Sequence, residues 1–137
     1  KGARLVVGGE RRNDLGAGFY APTVLAGATP DMRLFHEETF GPVAPLFKFA
    51  TEEEAVRVAN DTRYGLAGYV FTRDLGRAWR VAERLEVGIV GVNEGIISTP
   101  VAPFGGVKES GLGREGGRHG TEEFTEAKYI RMGMGRG

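Results

Sequence analysis

Residues 43–92 read VAPLFKFATEEEAVRVANDTRYGLAGYVFTRDLGRAWRVAERLEVGIVGV, and their periodicity decides the fold class. Val43 to Phe49 is an apolar run bounded by Gly41-Pro42 and Ala50-Thr51, the pattern of a strand. Thr51 opens a helix, with Glu54 three residues on completing a capping box. Ala55, Val58 and Ala59 give that helix its apolar stripe, and Asn60-Asp61 ends it. Gly68 to Thr72 is the next strand. Asp74 caps a second helix, in which Leu75, Ala78, Trp79, Ala82 and Leu85 keep helical spacing and Arg77, Arg80, Glu83 and Arg84 form a solvated face. Gly88 closes it, and Val87 to Val92 reads as a strand buried on both faces. The order β-α-β-α-β predicts an α/β fold, a parallel sheet with flanking helices whose ligands gather beyond the carboxyl ends of the strands.

Working outward, Arg4 to Val7 is a short strand closed by Gly8-Gly9, and Glu10 to Gly18 is polar and turn-rich. Phe19 to Leu25 is extended but interrupted by Pro22, which argues for an edge or irregular position. Beyond Val92 runs a long loop, Asn93 to Gly113, with Pro100 and Pro103; loops of that length inside a folded domain are usually functional. Arg114 to Glu126 is a glycine-weakened helical stretch, and Lys128 to Met132 a short terminal strand. Of 23 glycines, seven fall between Gly105 and Gly120, the mark of one special loop in a folded chain.

The 137 residues suit one domain with an ordinary globular composition. Basic and acidic residues number 18 each, so there is no basic footprint for nucleic acid and no polybasic membrane patch. Apolar runs fall far short of the ~20 residues of a membrane-spanning helix. Cysteine is absent, which removes disulfides, thiolate metal sites and a cysteine nucleophile from this chain. Lys1 stands first, with no charged-then-apolar signal segment behind it. The expectation is a trimmed chain or a piece of a longer one, resident in the cytoplasm.

Two motifs invite over-reading. Gly111-Leu112-Gly113-Arg114-Glu115-Gly116 fits G-x-G-x-x-G, but no buried strand precedes it and no acidic residue follows about 20 positions on, so it is not read as a dinucleotide loop. Glu115, His119 and Glu122 or Glu123 could share a helix face, yet a metal needs three or four convergent ligands, so no metal site is expected. His36 has acidic neighbours but no ligand-spaced partner. Phe35-His36-Glu37-Glu38-Thr39-Phe40-Gly41-Pro42 is more informative. In an extended segment Glu38 and Phe40 would project together, a carboxylate for two vicinal ribose hydroxyls beside a flat ring for an attached base. Taken alone, the pair is more commonly a surface glutamate and a core phenylalanine before a turn.

Glu37-Glu38-Thr39-Phe40-Gly41-Pro42 resembles the E-x-F-G-P motif of the aldehyde dehydrogenase superfamily, and residues 103–115, PFGGVKESGLGRE, resemble its signature P-F-G-G-x-K-x-S-G-x-G-R-E. The motifs stand in the family's order and separation, and the resemblance runs nearly from end to end. Asn93-Glu94-Gly95-Ile96-Ile97-Ser98, followed by Val101-Ala102-Pro103-Phe104, is most similar to the succinate-semialdehyde dehydrogenase branch.

The resemblance implies that Glu38 binds the nicotinamide ribose and Phe40 lies beside the nicotinamide of NAD or NADP. It implies that Asn93 begins a loop lining the substrate entrance, that Ser98 contacts the carboxylate of the semialdehyde, and that Phe104 lines the substrate tunnel. It also implies a fold: 1–126 as the C-terminal part of the catalytic domain, and 127–137 as an oligomerisation strand and tail serving a homo-oligomer, dimer or tetramer. The family enzyme is about three times this length. Its dinucleotide-binding domain, cysteine nucleophile, general-base glutamate, oxyanion-site asparagine and carboxylate-clamping arginines have no match here. The expected function is therefore part of an NAD(P)-dependent oxidoreductase acting on a small aldehyde, with no catalytic residue of its own and no activity in isolation. The alternative is a naturally short, non-catalytic binding or assembly module of the same half-fold.

Overall fold

A computed structural model describes residues 1–135, and it divides the chain into two compact units, Lys1–Ala55 and Val56 onward. In the first, β1 (Arg4–Val7), β2 (Thr23–Ala26) and β3 (Val43–Leu46) form a sheet in the order β1-β2-β3. β1 runs antiparallel to β2 with an irregularity between Leu5 and Val7, and β2 runs parallel to β3 from Thr23↔Val43 to Ala26↔Leu46. Thr23 is buried at the start of the middle strand, and its hydroxyl is satisfied on both sides. It donates to Ala21 O (2.8 Å) and accepts from Gly9 N–H (2.8 Å). Gly8 beside it has φ +77°, and a Cβ there would stand 2.2 Å from Pro22 O, so only glycine fits.

The expectation for Phe19 to Leu25 is corrected in one respect. Pro22 lies just outside β2, between the Arg11–Tyr20 bridge and Thr23, and the strand it precedes is central. The edge rule holds at another proline: Pro45 sits within β3, at the border of this sheet, where a missing N–H costs least.

α1 (Arg33–His36) is a single turn, and α2 (Glu52–Asn60) starts as its sequence dictates. Glu54 N–H donates to Thr51 Oγ1 (3.1 Å), while the Glu54 carboxylate reaches back to Ala50 N–H (2.8 Å). The buried residue of α2 is Val56 rather than a member of the expected stripe.

In the second unit β4 (Tyr64–Gly65) pairs antiparallel with β7 (Val107–Lys108), and β5 (Ala67–Val70) pairs parallel with β6 (Ile89–Val92) across α3 (Leu75–Arg84). Asp74 caps α3 by accepting from Arg77 N–H (2.9 Å). Ala78 is buried on α3, but Leu75 and Trp79 are exposed, against the expected stripe. β6 is half-buried rather than covered on both faces. The single parallel sheet expected from residues 43–92 is not formed: the parallel pairs β2–β3 and β5–β6 belong to separate sheets. Periodicity identifies strands, whereas their partners are set by contacts remote in sequence.

Downstream, His119–Phe124 is a 3₁₀ turn, which is all of the expected helical stretch that forms. No strand forms at Lys128–Met132, where Tyr129, Ile130 and Met132 are exposed. A strand needs a neighbour to satisfy its N–H and C=O groups, and none is available within the described chain. Arg136 and Gly137, the end of the expected tail, lie outside the described residues. No helix among the described residues is long and apolar enough to cross a membrane.

Candidate functional site

The E-E-T-F-G-P stretch lies in the first unit. Met32, 4% exposed, anchors the base of α1. Glu37 leaves the helix with extended backbone (φ −105°, ψ 131°), its N–H still bonded to Arg33 O (2.8 Å). The two adjacent glutamates then differ sharply. Glu37 is held by the Arg33 guanidinium, which reaches both carboxylate oxygens (Nη2–Oε2 2.7 Å, Nε–Oε1 3.1 Å). Glu38 has no hydrogen bond or ion pair among the described residues and borders an open cleft of about 510 Å³, together with Leu25, Met32, Leu34 and Thr39.

Phe40 departs from the extended geometry expected for it. Its φ is +34°, in the left-handed region that aromatic residues seldom occupy, and its ring is 93% exposed. The alternation that would set Glu38 and Phe40 on one side therefore breaks at Phe40, whose ring is not part of the cleft wall. The turn is pinned just beyond, where Pro42 O accepts from Thr23 N–H (2.8 Å).

Ser98 and Phe104 belong to the second unit, in the loop after β6. Asn93 sets the direction in which that loop leaves. Its backbone is left-handed (φ +53°) and its N–H donates to Val70 O (2.8 Å). Its side-chain amide then acts as one more rung of the β5–β6 ladder: Oδ1 accepts from Thr72 N–H and Nδ2 donates to Thr72 O, both at 2.8 Å. Glu94 closes the next turn by accepting from Gly95 and Ile96 N–H groups, and the bond from Ile96 is the main reason its carboxyl lies below the usual range. Ser98 is exposed, and its hydroxyl has no partner among the described residues. Phe104 is half-buried and exchanges two backbone bonds with Glu115, both 2.7 Å, so residues 104–115 form a closed loop.

Within this loop the signature residues are mostly occupied in holding it. Ser110 Oγ accepts from Gly65 N–H (2.9 Å), and the Arg114 guanidinium donates to Gly106 O (2.8 Å) and Gly113 O (2.6 Å). Gly88 lies so close to Gly105 that a Cβ there would stand 1.9 Å from its carbonyl oxygen. Residues 111–116 form bends and a bridge rather than a strand-to-helix junction, the geometry a dinucleotide loop requires. His119 Nδ1 lies 3.4 Å from Glu122, and no three His, Asp or Glu side chains among the described residues converge on a metal position. Sequence reasoning read Asn93 only as the start of the loop and Ser110 and Arg114 only as members of the signature, and it missed that these three side chains build the loop. Only the glycines around them signalled how closely the backbone packs there.

Comparison with known proteins gives consistent matches. The sequence profile described as "Aldehyde dehydrogenase family" matches residues 1–130. A mitochondrial succinate-semialdehyde dehydrogenase of Oryza sativa subsp. japonica is 62% identical over 97% of this chain and 25% of its own length. A 3-sulfolactaldehyde dehydrogenase of Pseudomonas putida is 56% identical over 97% of this chain and 27% of its own. The crystal structure of a betaine aldehyde dehydrogenase from Staphylococcus aureus in complex with NAD+ superposes with a TM-score of 0.84 at 48% identity, covering 90% of this chain and 25% of that one. The chain thus spans about a quarter of the length of the relatives it matches.

Proposed function

This chain belongs to the aldehyde dehydrogenase family, and from that premise we propose that it forms the C-terminal, cofactor- and substrate-facing part of an NAD- or NADP-dependent dehydrogenase that oxidises succinate semialdehyde to succinate. The observation that carries the reading is the contrast at the motif: Glu37 is neutralised by Arg33, while Glu38 keeps two unengaged oxygens on an open cleft. A carboxylate in that state accepts from vicinal ribose hydroxyls without first surrendering a partner. Phe40 offers an exposed ring against the flat nicotinamide. Ser98 has a free hydroxyl to donate to the distal carboxylate of the substrate, and Phe104, fixed by its bridge to Glu115, walls the approach.

Held at Glu38 and Phe40, a nicotinamide cofactor would supply the hydride acceptor for oxidation of the aldehyde carbon. The chain has no cysteine, so the nucleophile comes from outside these 137 residues. The substrates named for the two closer relatives quoted above, succinate semialdehyde and sulfolactaldehyde, are both small aldehydes with an anionic group at the far end, which supports an anionic substrate over a cationic one. A naturally short assembly module finds no support in relatives about four times as long.

The test replaces the matched quarter of the rice enzyme with this chain and follows aldehyde-dependent reduction of NAD and NADP. Succinate semialdehyde is expected to be turned over. Glu38→Gln in that protein is expected to weaken the cofactor's ribose bonds by about 1–3 kcal/mol, raising its KM roughly 5- to 150-fold. Unchanged kinetics across a cofactor titration would return Glu38 to the role of a surface carboxylate.

A further inference from the structure

We propose that Lys108 is a positioning residue for the substrate passage. Its ammonium ties the C-terminal ends of two helices to β7 and so fixes the loop that carries Phe104. The proposal rests on the reading of Phe104 as a wall of that passage. Lys108 Nζ donates to Asn60 O (2.9 Å) and Thr62 O (3.2 Å) and pairs with Glu86 Oε2 (2.6 Å). Asn60 is the last residue of α2, and its side chain reaches across to the end of α3. Nδ2 donates to Arg84 O (2.8 Å), and Oδ1 accepts from Glu86 N–H (2.9 Å). The C-terminal end of a helix carries partial negative charge, so a cation placed on the last carbonyl of α2, with the Glu86 carboxylate from just beyond α3 completing its shell, is well matched.

An exposed lysine–glutamate pair would contribute little. Here the Glu86 side chain is 58% exposed and the pair alone adds little, but the same ammonium, on a lysine side chain 26% exposed, also holds two backbone carbonyls, so one group joins residues 60–62 to Glu86 and β7. The backbone supports the same conclusion. Lys108 has φ +53°, unfavourable for a long side chain, and such a conformation persists where surrounding contacts over-determine it. The path from Lys108 to Phe104 has no slack. Val107 pairs with Gly65, Gly106 is buried, and Gly105 lies directly against Gly88. Lys108 acts through this path and touches neither substrate nor cofactor.

Amide hydrogen exchange on this chain within the rice chimera tests the clamp. Lys108→Met, which keeps the stem and removes the charge, is expected to speed exchange at Phe104, Glu109 and Glu115 about tenfold while leaving Ile89 and Asn93 in the β5–β6 pair unchanged. Lys108→Arg is expected to restore protection. No acceleration at Phe104, or equal acceleration at Ile89 and Asn93, overturns the proposal. In the rice chimera, Lys108→Met is expected to raise KM for the semialdehyde about tenfold, with kcat and cofactor KM within about twofold. A fall in kcat at constant KM overturns positioning. If the unaltered chimera has no semialdehyde activity, the functional reading fails, and exchange alone decides whether Lys108 holds Phe104.

Discussion

At the scale of single residues, exposed carboxylates in this chain differ by what faces them. Asp74 lies below the usual aspartate range chiefly because it accepts from Arg77 N–H at the start of α3. A carboxyl depressed in the folded state contributes stability that is present above its unfolded value of 3.8 and is lost as pH falls through the lower folded value. Asp74→Asn keeps a capping oxygen but removes the titration. The helical circular dichroism of the variant should therefore lose less on acidification below pH 3.8 than that of the parent, and identical acid transitions would count against the cap. This cap and the Thr51–Glu54 box were legible in the sequence, because each rests on a donor and an acceptor three residues apart. Phe40 was not. Two-residue alternation presumes extended backbone, and the left-handed turn there depends on the return of Pro42 to β2.

At the scale of elements, strands and helices were legible in kind, but their faces and partners were not. α3 shows why: its spacing nominates Leu75 and Trp79 for burial along with Ala78, yet only Ala78 meets enough of the described chain to be covered. Pattern reports which side chains favour burial, and burial needs a surface opposite them. The second unit's loop was legible as special from its glycines, though the reason for each glycine was not. Gly88 is the clearest case, since its missing Cβ makes room for Gly105 O. Gly88→Ala should cost about 3 kcal/mol by pushing residues 105 and 106 away from β6. A denaturation midpoint equal to that of the parent would show that the loop yields without strain.

For the whole molecule, the amount of buried apolar side chain sets the terms. Among the described residues, the second unit buries Val56 and Ala78, and the first Ala21, Ala28 and Met32. A medium-sized side chain contributes about 1.5–3 kcal/mol on burial, while ordering each residue's backbone costs about 1–2 kcal/mol, so sets this small leave each unit dependent on further cover. Tyr129, Ile130 and Met132 belong to the uncovered apolar surface, on a segment whose backbone groups have no ladder partner. The isolated chain is expected to self-associate through residues 127–137. Sedimentation of the chain with and without that segment checks this, and a monomer in both cases up to millimolar concentration would refute it.

The two hydrogen bonds between Phe104 and Glu115 make a ring without sulfur. Closing a loop of about ten residues lowers its entropy once, at folding, and each doubling of loop length would add only about 0.6 kcal/mol. A disulfide would restrain the loop in the unfolded chain as well, but would answer to the thiol poise of its surroundings. A ring closed by peptide groups does not. The same loop shape is therefore available in a reducing or an oxidising compartment, with reductant, peroxide and metal chelator all leaving its closing bonds untouched.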